Sequence, residues 1–314
     1  MNVGIRDMFG APLDSGAGAR PALSGAYGRP PAGYRLPERT RLGAVELQVS
    51  DLSRSLEFYQ QLLGMSVLGR EGRTARLAGQ GATEPLVLLR ELEGTRPVVA
   101  GSRLGLYHFA ILLPDRGAMG RFITHLSAMR VRARFSDHLV SEALYLQDPD
   151  GLGIEVYVDR PRETWRCDDR ELMMASDPLD LADLVRAAGG ESWTGLPSDT
   201  VIGHVHLHVD ELADADAFYA EGLGFDRMVW RYPGALFLGA GGYHHHLATN
   251  TWASGALAPR ENDAKLQAWT IVLPSTNDVA ALREHLLSRG LALTDEPTGV
   301  LLIDPWGTRV HIRT

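Results

Sequence analysis

The sequence contains a single cysteine, no long apolar run and no cluster of basic side chains. Cys167 alone can neither form a disulfide within the chain nor supply a thiolate zinc site, which favours a reducing compartment. No window approaches the ~18 consecutive apolar residues of a membrane-spanning helix, and the first residues lack the basic-then-apolar pattern of a signal peptide. We therefore expect a cytoplasmic protein that does not bind a membrane.

The charge balance is acidic, with 39 acidic against 31 basic side chains and a net charge of -8. Because proteins bind phosphate backbones largely through clustered cations, we expect no nucleic-acid partner and a small-molecule ligand instead. The length of 314 residues and the hydrophobic content of 45% are those of a globular protein with two ordinary domains or one larger one.

An internal duplication follows an irregular N-terminal arm. Residues 1–40 are rich in Gly, Pro, Ala and Arg and have no periodic apolar pattern. The strand-then-helix pattern of residues 45–64 returns 160 positions later, and the Asp-Pro-x-Gly turn and apolar strand of residues 148–158 return 156 positions later. Each half also contains a second strand-then-helix start, at residues 107–114 and 269–274.

These repeats divide the chain into four modules. Each module contains one strand, one helix and further short strands separated by Gly, Pro and Asp turns, which predicts an α+β fold. We expect an irregular arm at 1–40, an N-terminal half with modules 1 and 2 at 41–160, a helical linker at 161–200 and a C-terminal half with modules 3 and 4 at 201–314. Apolar residues between 172 and 185 predict one or two helices in the linker.

Histidine is the most informative residue type, with 11 in the chain. His204, His206 and His208 alternate with apolar residues on a predicted strand, so their imidazoles share one face. In the run 243–246 the same alternation places His244 and His246 on one face. Single histidines on strands are more often solvated or held by hydrogen bonds than bound to a metal. Imidazoles from several strands can nevertheless converge.

Glu155 stands between apolar residues on the predicted closing strand of module 2. Burial of an ionised carboxylate is costly unless a cation accompanies it, so Glu155 either has such a partner or faces solvent at a sheet edge. Two imidazoles and one carboxylate are the donor set that suits ferrous iron and leaves coordination positions open. Closed structural zinc sites usually contain thiolates, which disfavours that alternative here.

The duplicated modules resemble the vicinal oxygen chelate superfamily, which includes glyoxalases, bleomycin-resistance proteins and extradiol ring-cleaving dioxygenases. The resemblance covers residues 41–314. The run from His138 through Tyr145 and the Asp-Pro pair at 148–149 to Glu155 is similar to the signature of extradiol dioxygenases, and its surroundings resemble four-module bacterial catechol 2,3-dioxygenases. This resemblance implies four βαβββ modules that form two paired, strongly curved mixed sheets.

The resemblance also implies a metal site. Glu155 and His108 match two metal ligands supplied by module 2, and the third is expected on the opening strand of the module that pairs with it. The candidate in module 1 is Ala44, which cannot bind metal, whereas its repeat partner is His204. We therefore expect modules 2 and 3 to share the metal site and modules 1 and 4 to pair beside them.

One alternative site is a combination of modules 3 and 4, in which His311 takes the place of the carboxylate. Such a site would contain three imidazoles, so we favour the mixed-module site that provides two histidines and one glutamate. In the favoured site, His206, His244 and His246 are expected to contact substrate or to support the ligands.

The reaction that the resemblance implies is extradiol cleavage of a catechol- or hydroquinone-type ring by O2, in the catabolism of aromatic compounds. Fe(II) is the expected cofactor, with Mn(II) as the alternative. His138 would take and return protons, and Tyr145 would hydrogen-bond a ring oxygen. A glyoxalase-like metalloenzyme that needs no oxygen and a drug-binding protein of the bleomycin-resistance kind stay open as alternatives. Because this superfamily often dimerises, a homo-oligomer is also expected.

Overall fold

The computed structural model describes residues 18–314, so the first 17 residues of the predicted arm lie outside the described residues. The rest of the arm contains one two-residue strand, β1 (Arg20–Pro21), and otherwise turns and extended chain. In the described part of the chain, no helix combines the length and apolar character that crossing a bilayer requires. The cytoplasmic location stays a prediction.

The four modules each follow the order strand, helix and three strands, which confirms the α+β fold expected from the sequence. Module 1 comprises β2 (Arg41–Val49), α1 (Leu52–Glu57), β3 (Ser66–Glu71), β4 (Thr74–Ala78) and β5 (Val87–Glu91). Module 2 comprises β6 (Gly105–Leu112), α2 (Arg116–Ala128), β7 (Arg134–Asp137), β8 (Ser141–Gln147) and β9 (Gly153–Asp159). The segment between the halves contains β10 (Arg166–Asp168), β11 (Glu171–Leu172) and α3 (Leu181–Ala187). Module 3 comprises β12 (Val201–His208), α4 (Leu212–Ala215), β13 (Asp226–Val229), β14 (Ala235–Gly239) and β15 (Leu247–Asn250). Module 4 comprises β16 (Lys265–Val272), α5 (Thr276–Ser288), β17 (Thr294–Glu296), β18 (Gly299–Ile303) and β19 (Arg309–Arg313).

Local sequence signals set the helix ends. The Asp51 side chain accepts a hydrogen bond from the Arg54 amide (3.0 Å) and so caps the start of α1. A π-helical turn, Phe58–Leu62, continues α1, and Gly64 then ends the segment at a φ of +70°. A side chain at Gly64 would clash, since a Cβ there would lie 2.6 Å from the Cα of Gly195.

Two eight-stranded mixed sheets combine the modules across the two halves of the chain. One sheet has the order β13-β14-β15-β12-β6-β9-β8-β7 and joins modules 2 and 3, whereas the other has the order β17-β18-β19-β16-β2-β5-β4-β3 and joins modules 1 and 4. This is the pairing expected from the resemblance, given that His204 and not Ala44 can supply the third ligand. The central strands β6 and β12 are antiparallel, while β9 and β15 run parallel to β6 and β12 respectively.

The apolar core lies between the central strands of the two sheets. Phe109 and Ile111 of β6 and Val205 and Leu207 of β12 are buried in it. Because side chains alternate along a strand, the residues between them point to the opposite face of the sheet. The core thus fixes which face of β6 and β12 carries the histidines.

The segment 161–200, expected to contain one or two linker helices, contains one short α-helix, a 3-10 turn and two strands. Strands β10 and β11 pair as a hairpin, and β1 adds to its edge. Asp169 and Arg170 form the two-residue turn with positive φ values of 45° and 68°, as in type I′ hairpins. The apolar residues that predicted helix therefore belong partly to a small sheet, in which Leu172 is fully buried.

A repeated tyrosine–aspartate contact links successive modules. The Tyr59 hydroxyl donates to Asp148 (3.3 Å), and Tyr219 donates to Asp304 (2.6 Å) in the corresponding place of the second half. Each aspartate also accepts two backbone N–H bonds within its own turn. Burial raises the pKa of Asp148 to about 7 and also raises the pKa of Asp304.

Candidate metal centre

Three candidate ligands meet on one face of the sheet of modules 2 and 3. His108 lies on β6, Glu155 on the neighbouring β9 and His204 on β12 at the other side of β6. In the strand register, Ala110 stands opposite both Glu155 and His204, so a methyl group is all that separates the two larger side chains on that face. Alternation places the side chain of His108 on this face as well, and all three candidate ligands are buried.

The separations among the three ligand atoms fit one shared cation. Nε2 of His108 lies 2.9 Å from Oε2 of Glu155, Nε2 of His204 lies 3.2 Å from the same oxygen, and the two nitrogens are 3.3 Å apart. Ligand atoms at about 2.1 Å from one ion and at right angles to each other are about 3.0 Å apart. The triangle therefore matches one face of an octahedron, and donors of this kind suit a first-row transition metal.

The protonation states also suit metal binding. Burial lowers the pKa of the His108 and His204 imidazoles, so both rings are neutral near pH 7 and keep a lone pair for a metal. Burial opposes ionisation of the Glu155 carboxyl, but the adjacent His204 and His108 hold its pKa well below the ordinary value. The cluster thus offers two neutral nitrogens and one anionic oxygen.

A cavity of about 380 Å³ opens onto the three candidate ligands. Aromatic side chains form much of its wall, namely Tyr107, Phe135, Tyr232, Phe237 and Trp252. The segment between the halves contributes residues 174–176 to the wall. This combination of an apolar wall and a few converging polar groups is typical of a small-molecule site.

His138 and Tyr145 form a hydrogen-bonded pair in the cavity wall. His138 Nδ1 lies 2.6 Å from the carbonyl oxygen of Ala175, and because a carbonyl only accepts, Nδ1 carries the proton. When the ring carries only this proton, Nε2 accepts a hydrogen bond from the Tyr145 hydroxyl at 2.5 Å. Burial raises the pKa of Tyr145 well above its ordinary value, so the hydroxyl keeps its proton. The Tyr145 ring also lies beside that of His108, with 5.4 Å between centroids.

His206 lines the cavity, and its role towards substrate or ligands stays a prediction. Its Nε2 accepts a hydrogen bond from the Asn250 amide (2.9 Å), and the Asn250 oxygen in turn accepts from His208 (2.7 Å). This bond occupies the Nε2 lone pair of His206. His206 therefore differs from the three candidate ligands, whose ligand atoms point at one another.

His244 and His246 lie outside the cavity wall, and His245, which the sequence pattern did not single out, lies in it. Alternation does not apply to this run, because these residues form an irregular, bent segment before β15 rather than a strand. His246 instead accepts a hydrogen bond from the Ala240 amide (3.2 Å). The ring of His245 packs on that of His204 with 4.1 Å between centroids. The run of three histidines was the only sequence signal for a residue here, and the path of the backbone before β15 determines which of the three faces the cavity.

The alternative site with His311 is not formed. His311 lies on β19 in the sheet of modules 1 and 4, where its Nδ1 lies 2.9 Å from Glu296. His204 lies in the other sheet, because the modules pair across the halves rather than within them.

A family model and a curated relative both match most of the chain. The family model described as the Glyoxalase/Bleomycin resistance protein/Dioxygenase superfamily matches residues 41–156 and 201–311. A catechol-2,3-dioxygenase of Bacillus subtilis (strain 168) is 41% identical over 272 residues, which are 85% of this chain and 95% of the relative.

Solved structures share the fold at low identity. A crystal structure from Bacillus subtilis that carries a provisional dioxygenase assignment superposes with a TM-score of 0.59 at 12% identity, over 90% of this chain and 86% of that chain. Glyoxalase I from Zea mays gives a TM-score of 0.50 at 18% identity, over 87% of this chain and 92% of that chain. At these identities the two structures support the fold alone.

Proposed function

Since the chain belongs to the glyoxalase/bleomycin resistance protein/dioxygenase superfamily, we propose that it is an extradiol dioxygenase that opens a catechol- or hydroquinone-type ring with O2. In this proposal His108, Glu155 and His204 hold Fe(II), with Mn(II) as the alternative metal. The observation that carries the proposal is the convergence of these three ligand atoms at the wall of an aromatic-lined cavity.

The ligand set decides which substrate the site favours. Bound Fe(II) would lower the pKa of a diol and bring the diol and O2 together. Glu155 neutralises one of the two charges of a dication, and the two imidazoles neutralise none. The pocket therefore keeps positive charge, which favours a substrate that binds as an anion through adjacent oxygens.

The Tyr145 and His138 pair can move a proton away from the substrate. The Tyr145 hydroxyl donates a hydrogen bond to His138 Nε2, so the Tyr145 oxygen can accept a hydrogen bond from a diol hydroxyl. When the diol proton passes to the Tyr145 oxygen, the tyrosine proton passes to His138 Nε2. The Ala175 carbonyl holds the opposite nitrogen throughout, and the reverse sequence returns the proton.

His245 is a second candidate for proton transfer. Its ring lines the cavity and packs on the candidate ligand His204. We therefore propose that His245 and the Tyr145–His138 pair act on different protons of the same reaction.

The decisive experiment loads the purified protein with Fe(II) without oxygen and then adds O2 and a panel of catechols and hydroquinones. We expect a yellow ring-opened product and one O2 consumed per ring. Glu155→Ala should abolish both iron retention and product. His311→Ala changes the corresponding position of the other sheet and should abolish neither. If no diol in the panel is cleaved by the iron-loaded protein, the proposal is wrong.

The same assays separate the alternatives. A glyoxalase-like enzyme would work with Zn, Ni or Mn and consume no O2. In a drug-binding protein, Glu155→Ala would leave ligand binding nearly unchanged, because no metal takes part.

A further inference from the structure

A hydrogen-bonded chain runs from a partly exposed aspartate to the cavity through two adjacent histidines. Asp159 ends β9, and 30% of its side chain is exposed, whereas His244 is fully buried. Oδ1 of Asp159 lies 2.9 Å from Nε2 of His244, and Nδ1 of His244 lies 2.7 Å from Nδ1 of His245. We call these three residues the Asp159–His244–His245 chain.

The chemistry of its first member sets the direction of every proton in this chain. A carboxylate oxygen only accepts hydrogen bonds, so Nε2 of His244 donates to Asp159. When His244 is neutral, its ring carries only this N–H, which leaves Nδ1 of His244 with a lone pair. The contact of 2.7 Å between the two Nδ1 atoms then requires the proton on Nδ1 of His245. Nε2 of His245 consequently has a lone pair and no proton.

Asp159 is held in place by a second donor. The Tyr243 hydroxyl donates to the same Oδ1 atom (3.2 Å), and the hydroxyls of Tyr243 and Tyr157 are 2.6 Å apart. Oδ1 therefore receives two hydrogen bonds, from a tyrosine and a histidine. These contacts fix the carboxylate in the orientation that determines the direction of the chain.

We propose that Asp159 and His244 are positioning residues that select the tautomer of His245 and thereby present an unprotonated Nε2 to the cavity. Without them, His245 can carry its proton on either nitrogen, and the tautomer with Nε2–H offers the cavity a donor in place of an acceptor. The catalytic value of this selection rests on the proposed function, because a proton acceptor beside the metal would serve a diol substrate. The tautomer itself does not depend on that function.

The first test reads the tautomer directly in metal-free protein labelled with ¹⁵N-histidine. Long-range ¹H–¹⁵N spectra distinguish a protonated from a bare ring nitrogen, and His245→Gln identifies the signals of His245. We expect His245 to carry its proton on Nδ1. In His244→Phe and in Asp159→Leu we expect the Nε2–H tautomer to become populated. Asp159→Asn keeps an acceptor oxygen and should restore the original tautomer, which also serves if Asp159→Leu fails to fold.

The second test is kinetic and uses the iron-loaded enzyme. His244→Phe and Asp159→Leu should each lower kcat on the order of 10²-fold with little change in KM, and the double variant should be no worse than either single one. Tyr243→Phe removes the other bond to Asp159 but leaves the chain intact, so its effect should be several-fold smaller.

The outcomes separate this inference from the proposed function. An Nε2–H tautomer in the native protein, or a tautomer unchanged in both chain-breaking variants, overturns the inference whether or not diols are cleaved. A tautomer that changes without any loss of kcat overturns the catalytic role. Failure of the native enzyme to cleave any diol overturns the proposed function, and the spectra still decide the role of Asp159 and His244.

Discussion

Replacing Glu155 by glutamine tests the candidate metal centre directly, because the two side chains have the same shape and differ by one charge. Even with the dielectric constant of bulk water, a dication and a carboxylate oxygen about 2.1 Å apart attract by about 4 kcal/mol. The variant should therefore bind Fe(II) or Mn(II) about 10³-fold more weakly. Glu155 is 2% exposed, and because the adjacent His204 and His108 hold its pKa well below the ordinary value, the folded metal-free protein favours the ionised carboxylate, so metal-free Glu155→Gln should be less stable than the native protein near pH 7.

Calorimetry with and without metal measures both effects. A metal at about 100 times its Kd adds about 2.7 kcal/mol to the unfolding free energy of the native protein, which is about 4 °C in Tm for a chain of this length. We expect this rise in the native protein and its loss in Glu155→Gln. Glu296→Gln makes the same charge change beside His311 in the other sheet, so it should keep the rise. A metal-dependent rise of the same size in Glu155→Gln would refute the assignment of Glu155 as a ligand.

Three further changes probe the surroundings of the site. Ala110→Leu inserts a large side chain between two candidate ligands, so metal content measured by elemental analysis should fall to a small fraction, at a cost of about 1–3 kcal/mol in unfolding free energy. Tyr145→Phe removes the donor to His138 and should lower kcat by roughly 10- to 10²-fold at unchanged metal content, as measured by O2 uptake. Burial raises the pKa of Asp148 to about 7, so the folded state keeps a proton that the unfolded state loses above about pH 4. The contribution of Asp148 to the unfolding free energy therefore falls as the pH rises from about 4 towards 7. Urea unfolding should show that Asp148→Asn lacks this decrease, which amounts to about 4 kcal/mol for three pKa units; equal pH dependence in both proteins would contradict the assignment.

The sequence contained the information that brings His108, Glu155 and His204 together. The resemblance to the superfamily implied His108 and Glu155 as ligands and a third ligand from the paired module, and the duplication then pointed to His204, because its repeat partner Ala44 cannot bind metal. Strand periodicity is a local property that follows from backbone geometry, and a duplication shows equivalent positions without a structure. For these reasons the fold and the central cluster were predictable.

The role of His245 and the form of the linker were not predictable in this way. His245 faces the cavity because residues 243–246 form an irregular, bent segment before β15, and such a segment has no fixed period. The hairpin of β10 and β11 turns at Asp169 and Arg170, a pair that lacks the glycine typical of such turns. Both features depend on contacts with distant parts of the chain, which local sequence patterns do not report.

The exchange of strands between the halves has a consequence for how the chain can be divided. A cut between the halves would leave one fragment with β2 and β6 as bare edges and another with β12 and β16 as bare edges. Unpaired strand edges seek partners, so each fragment alone would associate with itself or with its complement. Each half of the duplicated chain therefore supplies the strands that complete both sheets of the other half. Neither half can be removed without exposing two strand edges on the half that stays.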